Sequence, residues 1–217
     1  MSTTRNHQVY AELTPNPNSV KFVADRPLLF EGTVEYKSKE EAINSPIALQ
    51  LFDFTGVKSV FITSNFITIT KEADIDWYDI TNLLRVFIKS FLDSGEKLFL
   101  TDPATHKTAE VAEKPIEQAK APAEQQKQTA PYAELTAEEN LDIEQKIIQM
   151  LDEYVRPAVE GDGGAIDFKS FDRGVVTVVL KGSCSGCPSS TLTLKAGIEN
   201  LLKRMIPEVT EVMAEQA

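Results

Sequence analysis

The alternation of apolar and polar positions divides the chain into short strands and amphipathic helices, interrupted once by a long polar stretch. Val9–Leu13 and Ser19–Ala24 read as strands, separated by the turn formers Thr14-Pro15-Asn16-Pro17-Asn18. Ser38 and Glu41 have the spacing of a capping box before Ala42. Pro46 then ends that helix or opens the next, which carries Leu49, Leu51 and Phe52. Val57–Thr63 and Phe66–Thr70 flank Ser64-Asn65, the separation of a tight hairpin. Asp76 is placed to cap a last helix whose Ile80, Leu83, Leu84, Phe87, Ile88 and Phe91 share one face.

The pattern resumes at Thr136 and Glu139, a second capping box, ahead of Leu141, Ile147, Ile148, Leu151 and Val155 at helical spacing. Pro157 closes or kinks that helix. Gly161-Asp162-Gly163-Gly164 reads as a turn whose glycines serve the backbone, since their spacing fits neither a dinucleotide fingerprint nor a P-loop. A strand over Ala165–Phe171 and a second turn at Asp172-Arg173-Gly174 lead into Val175–Leu180. That run is apolar almost throughout and predicts a central strand covered on both faces. Leu194, Ile198, Leu201, Leu202 and Met205 make a helix, and Val209–Met213 a short final strand.

Between the two patterned regions, residues 101–135 are rich in Ala, Gln, Glu, Lys, Thr and Pro. Such a stretch buries too little apolar surface to offset its ordering entropy. It reads as a flexible linker that leaves the two units free to move independently. The expected organisation is therefore α+β: two small α/β-layered domains, residues 1–100 and 136–217, joined by a flexible linker.

Composition narrows the function. The 217 residues are 42% hydrophobic and 25% charged, the balance of a globular protein. A formal net charge of -11 argues against nucleic acid as partner. No apolar run is long enough to span a bilayer, and the start lacks both a secretory stretch and the Arg content of an organelle-targeting peptide. These features predict a cytoplasmic protein with protein partners and no membrane association.

The only two cysteines, Cys184 and Cys187, lie three positions apart, so a secreted disulfide framework is not available. They sit in Gly182-Ser183-Cys184-Ser185-Gly186-Cys187-Pro188, between the apolar strand and the last helix. Free amides at the start of that helix would favour thiolate over thiol, so reactive cysteines are expected. Spacing alone leaves open a dithiol redox pair, a metal or cluster site, structural zinc and inert cysteines. His7, in the N-terminal tail, and His106, in the linker, read as solvated side chains rather than ligands. Two facing copies of the loop would instead supply four cysteines, the usual ligand count of a [4Fe-4S] cluster.

Gly182 to Leu202, GSCSGCPSSTLTLKAGIENLL, resembles the cluster-binding segment of NifU C-terminal domains, and the resemblance extends to Arg156-Pro157 and Asp162-Gly163-Gly164. Ala165 departs from it, standing where many members carry an acidic residue. TPNPNSVKFV (14–23), SPIALQLFDFTGVKSVF and NFITITKEADIDW resemble the Nfu N-terminal domain. The resemblance implies a non-enzymatic Nfu-type carrier that accepts a cluster, typically [4Fe-4S] with [2Fe-2S] as the alternative, from a donor scaffold and passes it to apo-proteins. Cys184 and Cys187 are then the ligands, shared across a homodimer when loaded. The cysteine-free N-terminal unit would recognise donors or clients. A thiol-disulfide oxidoreductase using the same two cysteines is the competing reading. The TPNPNS loop is expected to be chiefly a rigid turn.

Overall fold

The computed structural model describes residues 6–101, 137–185 and 188–216. The expected linker, apart from Thr101, lies outside them, as do Thr136, Gly186 and Cys187. The described residues form two α+β domains.

The N-terminal domain is an antiparallel sheet of β1 (Val9–Leu13), β2 (Ser19–Ala24), β3 (Thr33–Tyr36), β4 (Val57–Thr63) and β5 (Phe66–Lys71), in the order β1-β2-β5-β4-β3. Two helices, α1 (Pro46–Leu51) and α2 (Trp77–Ser94), cover one face. Alternation along the strands decides which side chains they meet. Val20 and Phe22 of β2, Val60 and Ile62 of β4, and Ile67 and Ile69 of β5 pack with Ile47 and Leu51 of α1 and Leu84 and Ile88 of α2. Burying each of these side chains is worth about 1.5–3 kcal/mol relative to exposure. Leu83, expected on the buried face of α2, is 56% exposed, and Leu92 is buried in its place.

Local signals set most of the ends. Asp76 accepts from Tyr78 N at 2.9 Å as the cap of α2, and Ser45 caps α1 with Pro46 in its first position. The helix expected after Ser38 is a single 3-10 turn, Glu41–Asn44, without a side-chain cap. The Glu41 carboxylate reaches back to Lys37 N at 2.7 Å rather than to Ser38 N, so the expected box does not form. Pro46 leaves no room for more turns, because the residue before a proline disfavours helical geometry. The four-residue β3 carries too short an alternation to stand out in the sequence.

In the C-terminal domain, α3 (Ala137–Met150) continues through a widened π turn at Leu151–Val155 into α4 (Arg156–Gly161). Arg156 N bonds to Leu151 O five residues back, so the helix is interrupted just before Pro157, which has no amide to donate. β6 (Gly164–Asp172) pairs antiparallel with β7 (Val175–Gly182). The crossover helix α5 (Pro188–Met205) returns the chain to β8 (Glu211–Gln216), parallel to β7. Strand β7 is central, but only one of its faces is covered by helices. Val176, Val178 and Leu180 are fully buried, whereas Val175, Thr177 and Val179 are only partly so. A three-stranded sheet with helices on one side buries alternate residues, so the expected cover on both faces is not present. Along α3 the buried positions are Ile143 and Ile147, followed by Leu151 and Val155, while Leu141 and Ile148 are exposed.

The two domains are in contact. Cross-strand pairing aligns Lys21, Thr68, Phe61 and Glu35 in one row over β2, β5, β4 and β3, on the sheet face turned away from α1 and α2. Every member of that row meets the C-terminal domain. Lys21 Nζ donates to Glu160 O at 3.1 Å and Gly161 O at 3.3 Å, and Thr68 Oγ1 donates to Gly163 O at 2.6 Å. Phe61 lies over Gly182, and Glu35 accepts from Gly182 N at 3.3 Å. Phe61 and Phe66 form a small buried cluster with Ala165. Ala165 is fully buried there, so a longer acidic side chain at this position would set a carboxylate against two phenyl rings. In this structure the two domains are docked against each other, a contact that the linker composition does not announce.

Candidate metal centre

Cys184 follows the end of β7, in a tight turn in which Ser185 N and Ser185 Oγ both bond to Gly182 O. Gly182 has a φ of 64°, a left-handed conformation favoured by glycine, and a Cβ there would stand 2.9 Å from the Phe61 ring. A neighbouring turn supports the loop from below. Ser183 Oγ donates to Asp162 O and Ser183 N to Gly163 O, tying residues 182–185 to the turn after α4. Gly164 provides the space for the sulfur, since a Cβ on it would lie 2.6 Å from Cys184 Sγ. The Asp162-Gly163-Gly164 turn therefore shapes the cysteine site as well as reversing the chain.

Cys184 is 6% exposed and packs with the C-terminal core. Thr191 Oγ1 of α5 donates to its carbonyl at 3.2 Å. Burial pushes the Cys184 thiol above its ordinary range; the Ser183 hydroxyl opposes the shift and the Asp162 charge adds to it. In this arrangement burial disfavours the thiolate of Cys184, against the effect expected from its loop and the following helix. Cys187, the second expected ligand, lies outside the described residues.

Two side chains of the N-terminal domain complete the surroundings of the loop, and sequence reasoning assigned neither of them. Asn16, 3% exposed, donates from Nδ2 to Ser183 O at 3.0 Å. Its Oδ1 also accepts from Asn18 N, so the TPNPNS segment is both a braced turn and a contact to the cysteine loop. Glu35 accepts from Gly182 N and, at 3.4 Å, from Ser185 Oγ, while its Oε2 is buried without a hydrogen-bond partner. Burial pushes the Glu35 carboxyl up, against the opposing pull of Lys37, the Gly182 amide, Lys181 and the Ser185 hydroxyl. No sequence signal was available for Glu35, because the short β3 that carries it does not stand out in the sequence. For Asn16 the signal was a turn-forming residue, which turn chemistry already explained.

His7 is held in place rather than frayed. Its Nδ1 lies 3.0 Å from Asp25 Oδ1 and its amide donates to Asp93 Oδ1. His106 lies outside the described residues. Among the described residues no three His, Cys, Asp or Glu side chains group as a metal site, and no helix is long and apolar enough to cross a membrane.

Comparison with known proteins agrees with this arrangement of domains. Residues 9–95 match the family model "Scaffold protein Nfu/NifU N terminal" and residues 147–213 match "NifU-like domain". The chain is 38% identical over 200 residues to the human "NFU1 iron-sulfur cluster scaffold homolog, mitochondrial", covering 92% of this chain and 68% of the relative. It is 32% identical over 209 residues to "NifU-like protein 4, mitochondrial" of Arabidopsis thaliana, covering 95% and 65%. The chain thus spans about two thirds of the length of these curated relatives. The solution NMR structure of a NifU-like protein from Saccharomyces cerevisiae covers 46% of this chain and 90% of its own, at 26% identity and a TM-score of 0.41, too low to bear on the fold. Both curated relatives are named as mitochondrial, which overturns the cytoplasmic placement expected from the start of the chain. With both family models matched in order, and a relative at 38% identity covered over 68% of its length, the chain belongs to the Nfu/NifU family of iron–sulfur cluster scaffold proteins.

Proposed function

We propose that this protein is an iron–sulfur cluster carrier, not an enzyme, which holds a [4Fe-4S] cluster between two copies through Cys184 and Cys187 and delivers it to apo-proteins. The observation that carries this reading is the Cys184 loop itself. It is anchored to the end of a central strand and to the first turns of α5, with Gly164 making room for the sulfur. Thiolates are soft ligands suited to iron–sulfur clusters, and two copies of a two-cysteine loop supply the four that such a cluster takes. Because the described residues hold no other group of metal ligands, the second copy is the natural source of the missing pair.

Transfer proceeds by ligand exchange. A client cysteine loses its proton as its sulfur binds iron, and the Cys184 or Cys187 thiolate it displaces takes a proton up, so no electrons are gained or lost. A cluster held by two ligands from each chain can be released in such single exchanges, whereas a fully enclosed one cannot. The cluster is cargo, received from a donor scaffold, and [2Fe-2S] is the alternative form the same four thiolates would hold. The N-terminal domain, which has no cysteine, would contribute recognition of donors or clients. The mitochondrion named for the relatives is the proposed location.

Anaerobic reconstitution followed by iron, sulfide and molar-mass analysis tests this directly. The expected product is two chains for each four-iron cluster. A loaded monomer carrying four irons contradicts the shared site. An iron-free protein with dithiol–disulfide turnover establishes the oxidoreductase instead.

A further inference from the structure

We propose that the outer face of the N-terminal sheet is a latch on the cysteine loop, which in the unloaded chain keeps Cys184 turned into the C-terminal core and must let go before a cluster can be shared with a second copy. The part concerning loading rests on the carrier reading above; the part concerning Cys184 does not.

Every described residue of the loop other than Cys184 is held from the N-terminal domain. Glu35 takes the Gly182 amide and the Ser185 hydroxyl, Asn16 takes the Ser183 carbonyl, and the Phe61 ring lies against Gly182. The turn beneath the loop is held from the same side. Lys21 binds the carbonyls of Glu160 and Gly161, Thr68 binds that of Gly163, and Gly163 O also receives Ser183 N. Residues 183 and 185 cannot swing outward, carrying Cys184 between them, while these contacts persist. As held, the sulfur sits over Gly164 and the residue is 6% exposed, a placement from which it cannot reach a cluster lying between two chains.

The contacts have the character of a releasable interface rather than a continuous core. The apolar part is small, centred on Phe61, Phe66 and Ala165 with Val23 packed against them, and most of the rest are hydrogen bonds to backbone groups that water can replace. A cavity of about 320 Å³, lined by Asn16, Glu35, Lys37, Lys71 and Ser185 among others, remains between the domains beside the loop. On the N-terminal side, Phe61 and Lys21 belong to the face opposite the helix-covered core, so this face can be altered without removing a residue of that core.

The test is site-resolved alkylation of Cys184 in the reduced, unloaded full chain, followed by peptide mass spectrometry, in the wild type, Phe61→Glu and Lys21→Glu. A residue that reacts only through an opened state gains rate in proportion to that state's population, so each variant should label Cys184 about tenfold faster or more. The circular dichroism of both should remain native, and both should reach the wild-type iron content sooner on reconstitution. Unchanged labelling in natively folded variants overturns the latch. Faster labelling without faster loading overturns the claim that release limits loading. If Phe61→Glu does not fold, Lys21→Glu, which removes the donor to Glu160 and Gly161 together with the Lys21 contacts to Glu12 and the Phe66 ring inside the N-terminal domain, decides the matter once its fold is shown to be native. A wild type that takes up no iron refutes the carrier reading, and the labelling rates still decide whether the latch exists.

Discussion

Glu35 on β3 and Gly182 at the end of β7 are 147 residues apart in the chain, and the Glu35 carboxylate accepts the Gly182 amide at 3.3 Å. This bond sets a desolvated carboxylate two residues from the expected cluster ligand Cys184. It also links the sheet of one domain to the functional loop of the other.

That burial makes docking dependent on pH. The Glu35 carboxyl is pushed above its ordinary value of 4.5 by burial, with Lys37 and Lys181 opposing, Lys181 being itself paired with Asp167. A raised value in the docked form means that docking is favoured below 4.5 and weakens as pH rises through the raised value. Glu35→Gln keeps an acceptor for Gly182 N and removes the charge. Thermal unfolding of the full chain from pH 4 upward should show wild type losing ground to Glu35→Gln as pH rises. Identical slopes would mean that Glu35 does not titrate at this contact.

Gly164→Ala should damage the site from beneath. The added carbon would lie 2.6 Å from Cys184 Sγ and 2.8 Å from Lys181 O, and the second of these is backbone that cannot swing aside. Overpacking of this kind costs about 1–3 kcal/mol. A lower urea midpoint, with reduced iron uptake on reconstitution, is the expected result. An unchanged midpoint would show that the loop has slack this structure does not display.

Cys184→Ser and Cys187→Ser should each abolish stable loading, because one substitution removes two of four thiolates in a symmetric pair. At position 184 the hydroxyl enters a buried, mainly apolar site, which costs about 1–3 kcal/mol unless it finds a partner. Chemical denaturation should therefore rank Cys184→Ser below wild type while the protein still folds. Normal iron and sulfide content in either variant would place the ligands elsewhere.

Asp76→Ala separates stability from function. Its side chain accepts from Tyr78 N at the start of α2, remote in sequence from the cysteine loop, and loss of such a cap costs about 0.5–2 kcal/mol. The melting midpoint should fall while the ratio of iron to chains stays at the wild-type value. A changed ratio would tie the N-terminal core to cluster stoichiometry in a way the latch does not describe.

The elements that the sequence revealed are those dictated by local chemistry. Asp76 and Pro46 start helices, Ser64-Asn65 and Arg173-Gly174 turn hairpins, and the β7–loop–α5 order singled out Cys184 with Cys187. Each depends on residues a few positions apart, within reach of capping and turn rules. The local reading failed where the evidence was short or two-sided. β3 has only four residues, and the apolar content of β7 could not say how many of its faces have cover.

By itself the sequence determined two α+β domains, the cysteine pair and the family to which they belong. Tertiary structure alone decided that Cys184 faces inward and that Asn16, Lys21, Glu35, Phe61 and Thr68 converge on its loop and the turn beneath it. Strand alternation separates the two faces of a sheet but carries no information on what covers the second one. Contacts between residues separated by 95 to 167 positions follow no period that a sequence can display.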